Sequence, residues 1–270
     1  MSSCFLDLPH APLQPLRLPW LESANIEAAI LRLDLVDPLI SGNKWFKLRH
    51  HLLQAHEARA PGLISLGGNH SNHLHALAAA GKRFGFATAG LLRGHAQDTP
   101  TVRDLHALGM ELHWLGHGGY RARHQPGFWS PWQARYPGWH CIPEGGGGLQ
   151  GALGCALIVE QARLQLDALG WPDYHAWWLP AGTGTTLAGN CQGRGRHPAA
   201  GPDRPTGQRQ QVVQASPSPA ASQRQQSPGP DQPRRQPLQP PARPGRRWQT
   251  LRFCHGRPAA RPSTGHANRA

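Results

Sequence analysis

The sequence predicts an α/β fold built on a parallel sheet. Over the first 190 residues, short apolar runs alternate with segments whose apolar residues recur at helical spacing, and several of the apolar runs open into Gly-rich turns. After Asn190 that alternation stops and Arg, Pro and Gln take over. Parallel strands need long crossover connections, which the helical segments supply.

Residues 26–35, IEAAILRLDL, read as the first strand, closed by Asp37-Pro38 and Ser41-Gly42. In residues 45–59, Trp45, Leu48, Leu52 and Ala55 recur at helical spacing. Residues 62–66 form a short buried-type strand that runs into the loop GGNHSNH and an Ala-rich helix over 71–83. A strand over 86–92, a helix over 101–108 behind Pro100, and a strand over 111–115 follow. Residues 120–139 are rich in Pro and Trp without clear periodicity and receive no assignment. Four glycines, 145–148, precede a helix over 149–169, and a strand over 175–179 runs into PAGTGTTLAGN.

The tail has another grammar. Residues 191–270 hold 14 Pro and 12 Gln but only six Val, Leu, Phe and Trp together. So little apolar area cannot offset about 1–2 kcal/mol of backbone ordering per residue, and the segment is expected to be disordered. Its composition and abrupt onset favour out-of-frame translation of a GC-rich gene over an Arg-rich nucleic-acid arm or a solvated extension.

Charge follows the same division. Residues 1–190 carry a net +1, and the tail a net +12 from 14 Arg and two acids. The overall +13 therefore gives no footprint for nucleic acid on the body, and nucleic acid is not the expected partner. Five cysteines without a CxxC pair indicate neither a disulfide framework nor a zinc ribbon. Asp7 and several prolines interrupt the N-terminal region where a signal peptide needs an apolar core, and no apolar run approaches the roughly 20 residues of a membrane span. A soluble, cytoplasmic protein is expected.

Three stretches carry chemistry. In Ser41-Gly42-Asn43-Lys44 a turn presents a lysine at a helix start. A lysine that forms a Schiff base must shed its proton, and burial and the positive end of a helix dipole both lower its pKa. The chain has only three lysines, Lys44, Lys47 and Lys82, so few compete for the role. In Gly67-Gly68-Asn69-His70-Ser71-Asn72-His73, a glycine turn opens a helix whose first amides can hold a carboxylate, with Ser71 and Asn72 at the same edge. Gly182, Thr183, Gly184, Thr185 and Thr186 place amides and hydroxyls between a strand and a helix, as a phosphate requires, without the lysine of a P-loop. His70, His73 and His75 do not share one helical face and have no nearby acid or cysteine, so no metal site is assigned.

Taken in order, SGNKWFKLRHHL, SLGGNHSNHLHALAAAG, PEGGGGLQGALG and PAGTGTTLAG resemble successive landmarks of the 1-aminocyclopropane-1-carboxylate deaminase and D-cysteine desulfhydrase family. These are pyridoxal 5′-phosphate enzymes of the tryptophan-synthase-β-like class, fold type II, and the resemblance covers about residues 6–190. It implies that Lys44 carries the cofactor and that Asn72 meets the pyridoxal ring hydroxyl. It further implies that Ser71 touches substrate as a catalytic group, and that Gly182, Thr183, Gly184, Thr185 and Thr186 cup the phosphate. It implies a deaminase or desulfhydrase acting on a small amino acid. Cysteine synthase and threonine dehydratase types are the alternatives within the fold, and a nucleic-acid-binding protein working through the tail is the alternative outside it.

The implied layout starts a large cofactor-binding domain in residues 1–50, a small α/β domain over 51–143, and a return to the large domain over 144–190, followed by the tail, 191–270. Intact members commonly form homodimers. Members also continue past the phosphate loop, with the group that faces the pyridine nitrogen and, in the deaminases, a tyrosine. The tail has no tyrosine, so a truncated, weakly active or inactive form is expected.

Overall fold

A computed structural model describes residues 9–194 and 209–215, with 192–194 and 209–215 described by backbone alone. In chain order the elements are β1 (Leu13–Leu16), α1 (Pro19–Ser23), β2 (Ile26–Arg32), α2 (Asn43–Glu57), β3 (Gly62–Gly67), α3 (Asn72–Phe84), β4 (Ala87–Leu92) and α4 (Pro100–Ala107). Then come β5 (Met110–Trp114), α5 (Gly116–Arg121), α6 (Ser130–Arg135), β6 (His140–Cys141), α7 (Gly148–Arg163), β7 (Ala176–Trp178), α8 (Thr185–Arg194) and β8 (Arg209–Ala215).

They build two four-stranded sheets. The first has the order β1-β2-β8-β7, with β2, β8 and β7 parallel and β1 antiparallel at one edge. The second, β5-β4-β3-β6, is parallel throughout. In it the chain moves outward from β3 through β4 to β5 and then returns to the other side of β3 as β6. That reversal leaves a crevice at the carboxyl ends of β3 and β6, where ligands bind in open parallel sheets.

The second sheet is covered on both faces, which is why β3 is a continuous apolar run rather than an alternating one. Leu63 and Leu92 pack with Leu74 and Leu77 of α3 and Leu48 and Leu52 of α2, and Ile64, Leu66 and Leu91 pack on the opposite face against Tyr120 and Tyr136. Each fully buried Leu or Ile contributes about 1.5–3 kcal/mol. Helix α2 serves two cores, because its Phe46 joins Leu31, Cys155 and Ile158 beside the first sheet. It crosses α7 so closely that a Cβ on Gly154 would overlap the carbonyl oxygen of Phe46.

The α/β class expected from the alternation is the class observed, three local expectations are corrected, and one unassigned stretch gains an element. The first strand ends at Arg32, where the backbone tightens into a 3-10 turn over Leu33–Leu35 that buries Leu33. The helix expected over 149–169 stops at Arg163, and Leu166 reaches the core from the turns that follow. The unassigned stretch 120–139 contains α6, and its aromatics, Tyr120, Phe128, Trp129, Trp132, Tyr136 and Trp139, pack in one cluster with Ile64 and Leu66 of β3 rather than forming a helical stripe. Residues 191–194 complete α8, and residues 209–215 form β8 instead of belonging to a disordered tail. The β-branched pair Val212-Val213 has the propensity for such a strand, and the slot between β2 and β7 supplies both ladders that a central strand needs. The remainder of the tail lies outside the described residues. No helix among the described residues is long and apolar enough to cross a membrane.

Candidate active site

Carboxyl ends of parallel strands feed helix N-termini. The chain leaves β2 toward the start of α2, leaves β3 toward α3, leaves β6 toward the glycines before α7, and leaves β7 toward α8. Residues from all four connections line one cavity of about 280 Å³. Its wall includes Lys44 and Lys47 from α2, Asn72 from α3, Gly145, and Gly182, Thr183, Gly184 and Thr186 at the start of α8. Of the residues expected from sequence, Lys44, Asn72, Gly182, Thr183, Gly184 and Thr186 are thus brought together.

Ser71 and Thr185 do not line the wall. Ser71 is the N-cap of α3, and its Oγ accepts a hydrogen bond from the Leu74 amide at 3.2 Å. Thr185 is buried, with its hydroxyl 3.1 Å from that of Thr183.

Lys44 stands on the first turn of α2, and its Nζ donates to Asn43 Oδ1 at 3.2 Å. Asn43 Nδ2 donates to Thr186 Oγ1 at 2.8 Å, so one amide ties the lysine to the start of α8. Burial, and then the neighbouring Lys47 charge, pull the Lys44 amine down to about 8. Burial also lowers Lys47, whose Nζ lies 3.5 Å from Thr183 Oγ1. Among the described residues the wall contains two amines, two threonine hydroxyls and no Asp or Glu, and the first turn of α8 adds amides that a helix leaves without an intrahelical partner. That donor set selects an anion and leaves one amine reactive toward a carbonyl.

Beneath the wall lie buried histidines whose tautomers follow from their partners. His51 Nε2 donates to the Gly147 carbonyl at 3.1 Å, so its Nδ1, 3.3 Å away, accepts from His140 Nε2. Ser65 Oγ donates to the Ile142 carbonyl at 2.8 Å and accepts from His73 Nε2 at 2.8 Å. His73 Nδ1 is then a bare, buried acceptor with no partner among the described residues. Burial, followed by the lysine charges, holds His73 well below the usual histidine range, and burial brings His51 down to about 4. Both imidazoles are neutral.

Of the glycine run 145–148, Gly145 lines the cavity. Gly145 has φ +69°, a conformation that a side chain strains, and a Cβ there would stand 3.1 Å from Thr183 Cγ2. Sequence reading missed Asn43, Lys47 and Gly145. Lys47 was discoverable, since it lies one helical turn from Lys44 and therefore on the same face.

No protein-family profile matches the chain, and no curated protein sequence does. Solved structures do. An ACC deaminase homologue superposes with a TM-score of 0.58 at 25% identity, covering 69% of this chain and 57% of its own. A fungal L-serine ammonia-lyase from Rhizomucor miehei gives 0.50 at 16%, covering 68% and 54%. A pyridoxal 5′-phosphate-dependent aspartate racemase gives 0.54 at 16%, covering 76% and 56%. The chain spans little more than half the length of these enzymes. The likeness establishes the architecture: this is an α/β chain of the tryptophan-synthase-β-like fold.

Proposed function

We propose that the cavity binds pyridoxal 5′-phosphate through Lys44, in a lyase or deaminase acting on small amino acids, of the D-cysteine desulfhydrase or 1-aminocyclopropane-1-carboxylate deaminase type. The observation that carries this reading is the convergence of the Lys44 amine with Gly182, Thr183, Gly184 and Thr186 on one cavity that has no carboxylate among its described lining residues. When bound, pyridoxal phosphate supplies the electron sink that stabilises negative charge at the substrate α-carbon.

The chain's own groups do the rest. Lys44 Nζ, with its pKa at about 8, is substantially unprotonated just above neutrality and can attack an aldehyde carbon. The hydroxyls of Thr183 and Thr186, the first amides of α8 and the charge of Lys47 hold the phosphate. Asn72 offers its amide to the ring hydroxyl. The α3 N-terminus offers amides to a substrate carboxylate. The Ser71 oxygen already accepts from Leu74, which leaves its proton free for a substrate atom.

Added pyridoxal phosphate should give purified protein the visible absorption of a lysine adduct, and borohydride should fix the label on Lys44. A colourless protein, or unchanged uptake by Lys44→Ala, overturns the reading. Sulfide and pyruvate from D-cysteine, or 2-oxobutyrate from the cyclopropane acid, would support the named types. Turnover of L-serine or O-acetylserine instead would move the assignment to the dehydratase or cysteine synthase type.

A further inference from the structure

The glycine run that contributes Gly145 to the cavity wall is gripped at both ends. At its far end the Gly147 carbonyl accepts from His51 of α2, the helix that carries Lys44 and Lys47. At its near end Glu144 is held by groups from the other side of the second sheet. The Tyr120 hydroxyl donates to Glu144 Oε1 at 2.6 Å, and Arg123 Nε donates to Oε2 at 2.6 Å. Arg123 also donates from Nη1 to the Tyr120 carbonyl at 3.1 Å and lies 4.7 Å from the centre of the Tyr120 ring. Both carboxylate oxygens thus have a partner, and Glu144, Tyr120 and Arg123 lie outside the set of residues that line the cavity, which Glu144 adjoins in sequence at Gly145.

We propose that Glu144 is a positioning residue: clamped between Tyr120 and Arg123, it fixes the start of the 145–148 turn and so seats Gly145 against Thr183 in the cavity wall. A carboxylate here serves better than a neutral side chain, because hydrogen bonds to a charged acceptor are the stronger kind. The clamp acts through the turn and touches no ligand itself. The inference rests on the cavity, and only its second arm rests on the pyridoxal-phosphate reading.

Hydrogen exchange on the full chain, without ligand, tests the clamp directly. Glu144→Ala should accelerate exchange in residues 145–148 about ten-fold, while β3 and β4 keep their protection. Tyr120→Phe deletes one oxygen and should accelerate the same peptide to a smaller extent; it decides the matter if Glu144→Ala does not fold. Glu144→Gln, which keeps the shape and one acceptor oxygen, should lie between wild type and Ala. In the second arm, pyridoxal phosphate uptake should weaken about ten-fold in Glu144→Ala and stay unchanged in Arg163→Gln, which breaks a surface pair with Glu160. Unchanged exchange at 145–148, or acceleration of β3 and β4 in step with it, overturns the proposal. A wild type that takes up no pyridoxal phosphate sinks the functional reading alone, and the exchange arm still decides the clamp.

Discussion

Lys44 is poised at a cost to the fold. Its amine titrates at about 8 in the folded chain and at an ordinary 10.5 when unfolded, so between those values the unfolded chain binds more protons and stability rises with pH. Below about 8 the buried charge is a standing penalty. Lys44→Met should therefore stabilise the ligand-free protein by about 1–2 kcal/mol at pH 7, read as a higher midpoint in urea, while abolishing aldehyde uptake. Lys47 is a neighbour that holds Lys44 down. Lys47→Gln should move the pH midpoint of aldehyde uptake upward, measured from initial rates between pH 6 and pH 10; a midpoint that stays at about 8 would mean that burial alone sets it. That Lys44, Asn72 and most of the 182–186 loop would stand at turns between strand and helix was legible in sequence, and the roles expected of them came from the family resemblance. The state of His73 was not. Its tautomer depends on Ser65, whose proton is committed to a carbonyl contributed by Ile142, far along the chain.

At the scale of elements, the approach of α2 to α7 decides whether the lysine face and the glycine turn meet. Gly154 permits that approach, and a methyl group there would overlap the backbone carbonyl of Phe46, oxygen and carbon alike. Gly154→Ala should cost about 1–3 kcal/mol in urea unfolding despite the better helix propensity of alanine, because backbone cannot yield as a side-chain tip can. Helices α2 and α3 were legible from sequence because the helical period dominates each, and β3 because it is a short unbroken apolar run that ends in glycines. The failures have a common cause. In α6, and in the turns after α7 that carry Leu166 inward, burial is set by surfaces from elsewhere in the chain, and a local window does not contain them. The grip of Tyr120 and Arg123 on Glu144 spans 24 and 21 residues and leaves no local pattern at all.

For the whole molecule, the decisive element is β8. It lies between β2 and β7, pairing with seven residues of one and three of the other, and it is the sole link between them in the first sheet among the described residues. β2 leads to Lys44 and β7 leads to the loop 182–186, so the strand between them sets how those two cavity walls face each other. A segment with few apolar residues gave little sign of such a place, since composition averages a seven-residue strand into its polar surroundings. Proline tests the role sharply, because in a central strand it removes a ladder hydrogen bond and has no edge to hide on. Val213→Pro should lower stability by about 3 kcal/mol and weaken pyridoxal phosphate uptake, whereas Val213→Thr, which keeps the amide and the β-branch, should do neither. Amide protection in β3 and β4 should survive in both, because the second sheet has its own core. If the proline variant melts and binds like the wild type, residues 209–215 contribute nothing to the folded body, and β2 and β7 must be held in register by α7 and α8 alone.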